Sequence, residues 1–208
     1  MIEKIIDNIG GEAPVFFMIA GPNGAGKSTY RKKRLDPVGI ACIDPDEVAL
    51  GMLDRHPCTR DEAVAATKEA TERIRKHLSY GHSVCLETVF SDTKGHKLEL
   101  IAEAKKYGYK TCLIFICLES SQLCIARVMD RVDHGGHDVP DNLIEGRYPK
   151  CFENLGKAIP LVDSILLVDN SNLERHHEFG YVENGKLVYL DENIPDWYSK
   201  IRSLVTSK

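Results

Sequence analysis

The sequence predicts an α/β domain built on a mostly parallel sheet of about five strands flanked by helices. Short apolar runs of strand length alternate with longer helical patterns along the chain, and this alternation is typical of a parallel sheet with crossover helices. The apolar runs lack polar alternation, which indicates strands that are buried on both faces. A glycine-rich segment directly follows the first run, and no repeat or linker interrupts the 208 residues. We therefore expect one domain over residues 1–208.

The elements can be assigned in order from these patterns. Gly81 and Gly108 each follow a helical pattern, in the position where glycine commonly ends a helix. Asn184-Gly185 lies between two β-rich arms and predicts a hairpin, and residues 195–205 have the pattern of a closing amphipathic helix. Strands are predicted at 15–20, 40–43, 83–88, 111–118 and 164–168, and helices at about 27–34, 61–80, 92–107, 120–132 and 140–155.

Composition and charge exclude several classes of protein. Hydrophobic residues make up 43% and charged residues 28% of the chain, which is ordinary globular usage and excludes wholesale disorder. Lys and Arg number 27 against 31 Asp and Glu, a net charge of −4, so we do not expect nucleic acid as a partner. No apolar run approaches the ~20 residues of a membrane span, and the N-terminus lacks a signal pattern. These features predict a cytoplasmic protein without a membrane partner.

The seven cysteines predict a reduced protein. Their number is odd, no CxxC spacing occurs, and Cys85, Cys112 and Cys117 lie inside apolar runs, where a free thiol behaves as a small hydrophobic side chain. A disulfide framework or a zinc site is the less favoured alternative. His134, His137 and Asp138 could belong to a metal cluster, but no matching distant set of ligands accompanies them.

A phosphate-binding loop is the clearest motif in the chain. Residues 21–28 match G-x-x-x-x-G-K-[ST] at each fixed position, between a predicted buried strand and a predicted helix. Glycines let backbone N–H groups surround a phosphate, and the following helix adds the positive end of its dipole. Lys27 is expected to bind the β- and γ-phosphates, and the Ser28 hydroxyl to bind Mg²⁺. The predicted nucleotide-binding residues are Gly21, Pro22, Asn23, Gly24, Ala25, Gly26, Lys27, Ser28 and Thr29.

The rest of the chain favours a kinase among the proteins that use such a loop. The Asn/Thr-Lys-x-Asp motif of GTPases does not occur, and the chain is shorter than most helicases and transporter ATPases. Short P-loop kinases place an acid at the end of the second strand, and Asp44 and Asp46 occupy that position. Asp46 is also suited to cap the next helix. Glu87 and Thr88 end the third strand, where open α/β sheets bind ligands, although a locally satisfied polar pair would have the same sequence.

In these segments the sequence resembles the zeta-toxin family of P-loop kinases, in particular its stand-alone bacterial branch. The loop is common to many families, but its ordered combination with the later segments is more specific. The resemblance covers residues 14–171 and is carried by residues 21–29, Ile43-Asp-Pro-Asp46, Glu87-Thr88, residues 127–140 with Gly135-Gly-His-Asp-Val-Pro140, Arg147-Tyr148, Asn154-Leu155 and Asp169-Asn-Ser171.

The resemblance implies transfer of the γ-phosphate of ATP, with Mg²⁺, to a hydroxyl of a small molecule. In the best-known members the acceptor is UDP-N-acetylglucosamine, phosphorylated on the 3′-hydroxyl of its amino sugar. Carried over to this sequence, Asp46 is the general base for the acceptor hydroxyl, and Glu87 and Thr88 contact the acceptor. The family also implies a separate antitoxin protein as a partner.

Three arginines are candidates to bind the phosphate charge that develops during transfer. Arg127 and Arg131 lie four residues apart on a predicted helix, before a Gly-Gly break, and Arg147 follows that break. The segment from about 127 to 150 resembles a kinase lid, which would close and exclude water. Asn170 follows the last predicted parallel strand, near the position where related kinases hold the purine. Each of these residues also has an ordinary interpretation as a surface or sheet-edge polar group.

Two departures from the family concern the acceptor. The best-known toxins carry Glu-Gly-Thr-x-Arg after the third strand, whereas this chain has Glu87-Thr-Val-Phe-Ser91 with no arginine. The lid reads Gly-Gly-His-Asp-Val-Pro where those toxins have an arginine-bearing segment. Two other functions stay open, namely a polynucleotide or nucleotide kinase and a non-catalytic ATP-dependent switch. Replacing Asp46 by asparagine separates a kinase from a pure nucleotide binder.

Overall fold

Five parallel strands form the centre of the sheet. The computed structural model describes residues 2, 5, 13–57, 59–172 and 175–207. Its parallel strands are buried almost throughout, except for the short strand 41–43 at the sheet edge, and this agrees with the continuous apolar runs of the sequence. They are β1 (Val15–Gly21), β2 (Ala41–Ile43), β3 (Val84–Val89), β4 (Lys110–Cys117) and β5 (Ser164–Asp169), in the spatial order β2-β3-β1-β4-β5.

A C-terminal hairpin extends this sheet. Strand β6 (His177–Glu183) pairs antiparallel with β5 and with β7 (Lys186–Leu190). The turn residues Asn184 and Gly185 have φ values of 49° and 74°, the left-handed conformation that a two-residue hairpin turn requires. The short strand β8 (Thr206–Ser207) pairs parallel with β7. The sheet therefore has eight strands, and the increase over the predicted five comes from the hairpin and β8.

The segment after the hairpin differs from its prediction. Two 3₁₀ helices, Asp196–Lys200 and Arg202–Leu204, replace the amphipathic α-helix expected there. Trp197 is buried, its ring contacts three phenylalanine rings at centroid distances of 5.1 to 5.9 Å, and its Nε1 donates to Asp169 Oδ1 at 2.7 Å. These tertiary contacts determine the path of the segment and override its helical periodicity.

Between residues 13 and 207, the described part of the chain forms six α-helices that connect the strands and cover the sheet. Their N-terminal signals are local: Thr59 and Glu62 form a capping box at the third helix, and Ser120 caps the fifth. The fourth begins at His96, later than predicted, because Asp92 accepts from the backbone N–H groups of the next turn and so lies before the helix. The helices are α1 (Lys27–Arg34), α2 (Pro45–Leu53), α3 (Arg60–Ser79), α4 (His96–Lys106), α5 (Ser121–Asp133) and α6 (Asp141–Ala158).

The topology brings several polar segments to one edge of the sheet. The loops after β1, β2, β3 and β4 all leave from the carboxyl ends of parallel strands, so they meet at the same edge. In the part of the chain that the structure describes, no helix has the length and apolar character needed to cross a membrane. The six described cysteines are all free thiols.

Candidate active site

The glycine-rich loop has the backbone shape of a phosphate cradle. Gly21 and Gly26 have φ values of 147° and 85°, which other residues rarely adopt. A Cβ on Gly21 would lie 1.9 Å from the carbonyl oxygen of Ile116, and one on Gly26 would lie 2.4 Å from Asn170 Nδ2. Both positions therefore need glycine for conformation and for space. Gly26 is also the N-cap of α1, so the loop runs directly into a helix N-terminus.

The lysine and serine of the motif already have partners around this loop. Lys27 is buried and its Nζ donates to the carbonyl oxygen of Pro22 at 2.8 Å, which keeps the ammonium group folded over the loop. Ser28 Oγ donates to Glu87 Oε1 at 2.5 Å. The end of β3 thus contacts the first turn of α1, and Glu87 lies at the loop.

Arg31 links three segments beneath the loop. Its Nη2 donates to Glu47 Oε1 at 2.6 Å, its Nη1 lies 3.6 Å from Glu87 Oε2, and its Nε lies 3.6 Å from Asp36 Oδ1. Arg31 is 5% exposed and Glu87 4%. Glu87 Oε2 has no hydrogen bond among the residues that the structure describes. Sequence analysis did not identify Arg31. Its partners are distant in the chain, and an arginine in a helical pattern is not distinctive by itself.

The two aspartates after β2 have different positions. Asp44 is the N-cap of α2, and its Oδ1 accepts from the backbone N–H of Asp46 at 2.9 Å. The alternative role of Asp46 as the helix cap was therefore wrong, since Asp46 lies within the first turn and is exposed. Burial, together with the negative charge of Glu87, raises the pKa of Asp44 to about 7.

The three predicted arginines lie around the loop from the α5 and α6 side. Arg147 Nη1 donates to Asn23 Oδ1 at 3.2 Å, so it contacts the phosphate loop itself. Arg127 Nη2 lies 3.3 Å from the carbonyl oxygens of Asn170 and Ser171, and it donates to both. Arg131 donates to the carbonyl oxygen of His137. All three arginines line the cavity that also contains Lys27 and Ser28.

Two further residues support the back of the loop. Asn170 is buried, and its Nδ2 donates to the carbonyl oxygen of Ala25 at 3.0 Å. His176 Nε2 lies 3.1 Å from the carbonyl oxygen of Gly26, and its ring contacts Tyr30 edge-on at 5.2 Å. Asn170 thus contacts the loop, whereas the sequence analysis placed it near the purine of the nucleotide. His176 also contacts a carbonyl oxygen of the loop.

The segment between α5 and α6 touches the opposite side of the cavity. The ring of His137 stacks on His56, which follows α2, with centroids 4.5 Å apart and an angle of 27°. Burial, the neighbouring His56 and Arg131 lower the pKa of His137, so the ring stays neutral near pH 7. No group of three or more metal-ligating side chains occurs in the described ranges. The predicted lid segment therefore contacts the segment after α2 through this ring pair.

One cavity of about 720 Å³ joins these groups. Asp46, Thr88 and Lys97 line it together with the loop and the arginines. Lys97 was not identified from the sequence, because a lysine in a helix is ordinarily a surface residue. The cavity thus has a cationic side around the loop and a carboxylate-rich side after β2 and β3.

The residues present fit ATP and Mg²⁺. The glycine backbone leaves a space that any Cβ would fill, and N–H groups at a helix N-terminus suit a phosphate. Ser28 Oγ, the Glu87 carboxylate and the Asp44 carboxylate supply the oxygen ligands that Mg²⁺ prefers, directly or through water. The unbonded Glu87 Oε2 is available for such a contact within the described residues.

Several solved structures are similar in fold to this chain. A chain of the AvrRxo1-ORF1:AvrRxo1-ORF2 complex with sulphate ions has a TM-score of 0.65 and 17% identity, covering 99% of this chain and 71% of that chain. A candidate kinase from Chloroflexus aurantiacus J-10-fl has a TM-score of 0.62 and 19% identity, covering 80% and 90%. A chain of the PezAT chromosomal toxin–antitoxin system of Streptococcus pneumoniae has a TM-score of 0.60 and 15% identity, covering 84% and 79%. At these identities the likeness is one of fold.

Sequence comparison gives a curated relative and a family. An uncharacterized protein of Haemophilus influenzae (strain ATCC 51907 / DSM 11121 / KW20 / Rd) is 28% identical over 132 residues, which are 62% of this chain and 88% of that protein. The family model described as AAA domain matches residues 16–146, which include the phosphate loop, both aspartates after β2 and the end of β3. The chain belongs to this AAA domain family and has its P-loop kinase-like fold.

Proposed function

We propose that the protein transfers the γ-phosphoryl group of ATP to a hydroxyl group of a small molecule. The single observation that carries this proposal is the arrangement of one cavity. Arg147 contacts the phosphate loop at Asn23, and Asp46 lines the same cavity from the end of β2. A carboxylate beside a phosphate cradle is what proton transfer from an acceptor hydroxyl needs.

The proposed reaction assigns each group a step. Asp46 accepts the proton of the acceptor hydroxyl, the acceptor oxygen forms a bond to the γ-phosphorus, and the bond between that phosphorus and the β–γ bridging oxygen breaks to leave ADP. Lys27, Arg127, Arg131 and Arg147 stabilise the negative charge on the phosphate oxygens. Ser28 would hold Mg²⁺, which would supply additional neutralisation of the phosphate charge.

The roles of the β3 residues follow from their contacts. Sequence analysis assigned both Glu87 and Thr88 to the acceptor. Ser28 Oγ donates a hydrogen bond to Glu87. We therefore assign Glu87 to the proposed Mg²⁺ site instead of the acceptor. Thr88 lines the cavity one residue further along, and we retain it as an acceptor contact. UDP-N-acetylglucosamine is the first acceptor to test, because the family resemblance implies it.

The test is product mass after incubation with Mg²⁺ and ATP. The acceptor panel contains UDP-N-acetylglucosamine, other nucleotide sugars, free sugars, nucleosides and short oligonucleotides. We expect one small molecule to gain a single phosphoryl mass. Asp46→Asn should lower this turnover by about 10²- to 10⁴-fold, the usual contribution of a general base, with ATP affinity retained.

Asp54→Asn is the matched control for this experiment. Asp54 ends the same helix in the left-handed conformation, which asparagine tolerates well, so the control should keep full turnover. Equal turnover in Asp46→Asn and the wild type would contradict the assigned base. ATP binding without phosphorylation of any acceptor would favour the switch function, and a phosphorylated oligonucleotide would favour the polynucleotide kinase.

A separate antitoxin protein is a further proposed partner. The similar chain from Streptococcus pneumoniae belongs to a system described as toxin–antitoxin, and the family resemblance implies the same arrangement. Growth of a bacterial host should fall when the wild-type chain is expressed alone and recover with Asp46→Asn. Normal growth with the wild-type chain would remove the reason to expect an antitoxin.

A further inference from the structure

Lys97 is a buried cation in the cavity wall that the proposed reaction does not use. It is the second residue of α4 and only 8% exposed, and it lines the same cavity as the phosphate loop. Its Nζ makes no hydrogen bond and no ion pair with any residue that the structure describes. Nζ is not among the fully buried polar atoms that lack a partner, so the buried stem holds the ammonium group at the cavity, where a ligand can contact it.

The nearest acid does not neutralise Lys97 by direct contact. The carboxylate of Asp92 accepts from the backbone N–H groups of Gly95 at 3.1 Å and of Lys97 at 3.0 Å, so both of its oxygens are used to order the start of α4. Burial lowers the pKa of Lys97, and the charge of Asp92 opposes that effect without cancelling it. The side chain thus carries a desolvation cost that Asp92 offsets only in part.

The segment that carries Lys97 is held in place. Asn154, buried in α6, donates from Nδ2 to the carbonyl oxygens of Phe90 at 3.1 Å and Asp92 at 2.8 Å. These bonds secure the loop between β3 and α4, and the Asp92 carboxylate secures the first turn after it. A side chain on a fixed segment is prepared to bind a ligand with little loss of entropy.

The position of Lys97 in the topology separates it from the nucleotide side. The loop follows β1, Asp46 follows β2 and Lys97 follows β3, in the sheet order β2-β3-β1-β4. Arg127 and Arg131 follow β4, on the other side of the loop. Among the described residues that line the cavity from segments after β2 and β3, Lys97 is the one lysine or arginine. It therefore shares a side with the proposed base.

We propose that Lys97 binds an anionic group of the acceptor, a phosphate or a carboxylate, while Asp46 receives the proton of the acceptor hydroxyl. The inference rests on the proposed kinase function and narrows its substrate class to anionic hydroxyl compounds. A direct bond from a lysine ammonium to an oxyanion is among the stronger hydrogen bonds in proteins. It would also supply the partner that Lys97 otherwise lacks.

The test measures anion binding with the phosphate loop already filled. Protein saturated with Mg²⁺ and the non-hydrolysable imido analogue of ATP is titrated with inorganic phosphate and, separately, with acetate, and NMR shifts give each Kd. Lys97→Met keeps the apolar stem and removes the charge. We expect this substitution to weaken binding of the preferred anion by about ten- to a hundredfold, and Lys97→Arg to restore part of it.

Lys94→Met is the matched control, because Lys94 is an exposed lysine three residues earlier. It should bind both anions as the wild type does. The tighter of the two anions identifies the chemical class, phosphate or carboxylate. Equal anion affinity in the wild type and Lys97→Met, or no saturable binding of either anion to the wild type, would overturn the inference.

The binding test separates this inference from the proposed reaction because it requires no turnover. Loss of anion binding in Lys97→Met with full affinity for the ATP analogue supports the anion site, whatever Asp46→Asn does to catalysis. Once the mass panel identifies an acceptor, Lys97→Met should raise its KM by about ten- to a hundredfold and change kcat much less, as expected for loss of a binding contact. An unchanged KM would contradict the role of Lys97 in acceptor binding.

Discussion

Arg31 is the residue on which the electrostatics beneath the phosphate loop depend. Its guanidinium group lies between the Glu87 carboxylate, which contacts Ser28, and the Glu47 carboxylate, which follows Asp46. Glu87 is almost fully buried, whereas the side chain of Glu47 is 55% exposed. The contact with Glu87 therefore determines most of the cost of losing Arg31, since water can replace the other.

We expect Arg31→Met to lower the free energy of unfolding by about 3 kcal/mol, because it leaves the buried Glu87 carboxylate without its cation. Urea unfolding measures this change. Lys32→Met, an exposed neighbour on the same helix, should stay within about 0.5 kcal/mol of the wild type. Similar values for the two variants would mean that the buried ion pair contributes nothing to stability.

Asp44 should make stability depend on pH. Its pKa is about 7 in the folded protein, against 3.8 as the ordinary value, so the folded state holds the proton more tightly. The stabilising effect of this proton is complete below the ordinary pKa and is lost as the pH rises to about 7. Asp44→Asn keeps a side chain that can cap α2 and removes the buried charge.

The gain in stability from Asp44→Asn should therefore grow between pH 5 and pH 7 and stay constant above pH 7. After allowance for solvent screening we expect a gain of about 1 to 2 kcal/mol at pH 8, measured by urea unfolding without Mg²⁺ or nucleotide. Asp54→Asn, at the other end of α2, is the control for the effect of an Asp-to-Asn change on the free energy of unfolding. A gain of the same size at pH 5 and pH 8 would exclude Asp44 as the titrating group.

Among the elements, the turn between α5 and α6 contacts the segment after α2 beside the cavity. His137, which lines the cavity, stacks on His56, and Arg131 donates to the carbonyl oxygen of His137 in the same turn. Gly135 has a φ of 83°, which lets the chain reverse between the two helices. The turn also donates backbone hydrogen bonds to the end of α5, from Gly135 to Val132 and from Gly136 to Arg131, so the ring pair is a contact that joins it to the segment after α2.

We expect His137→Ala to speed amide hydrogen exchange in residues 134–140 by about two- to tenfold, because a ring pair contributes on the order of 1 kcal/mol. His134→Ala, in the same turn but exposed, is the control and should change exchange less. If both variants exchange at the same rate, the stacked pair does not hold the turn.

For the whole molecule, the C-terminal segment completes the core that supports the site. Trp197 packs against Phe115 of β4, Phe152 of α6 and Phe179 of β6, and it donates to Asp169 at the end of β5. Asn170 follows Asp169 and supports the phosphate loop through Ala25. The core and the loop are therefore connected through the end of β5.

Trp197→Ala should lower the free energy of unfolding by about 3 to 5 kcal/mol, the usual cost of removing a large buried aromatic ring. Circular dichroism during urea unfolding measures the change. Tyr189→Ala, which removes an exposed aromatic ring of β7, should cost less than about 1 kcal/mol. A small loss for Trp197→Ala would show that the C-terminal segment adds little to the core.

Local signals in the sequence were enough for most of the fold. The parallel strands, the phosphate loop, the hairpin at Asn184-Gly185 and most helix boundaries were predicted, because each depends on residues that are close together in the chain. The closing helix was not, because its segment follows the contacts of Trp197 with distant strands. Periodicity indicates the conformation that a segment prefers in isolation, and here the contacts with the core favour a different conformation.

The sequence by itself determined the phosphate loop, the aspartates after β2 and the three arginines, since motif spacing and a family resemblance identify such groups. The tertiary structure alone decided that Glu87 contacts Ser28 and that Arg31 is its buried partner. It also decided that Lys97 is buried in the cavity wall without a hydrogen-bond or ion-pair partner among the described residues. The physical reason is that burial and pairing of charge depend on segments that folding brings together. No local pattern encodes whether a lysine on a helix faces water or the wall of a cavity.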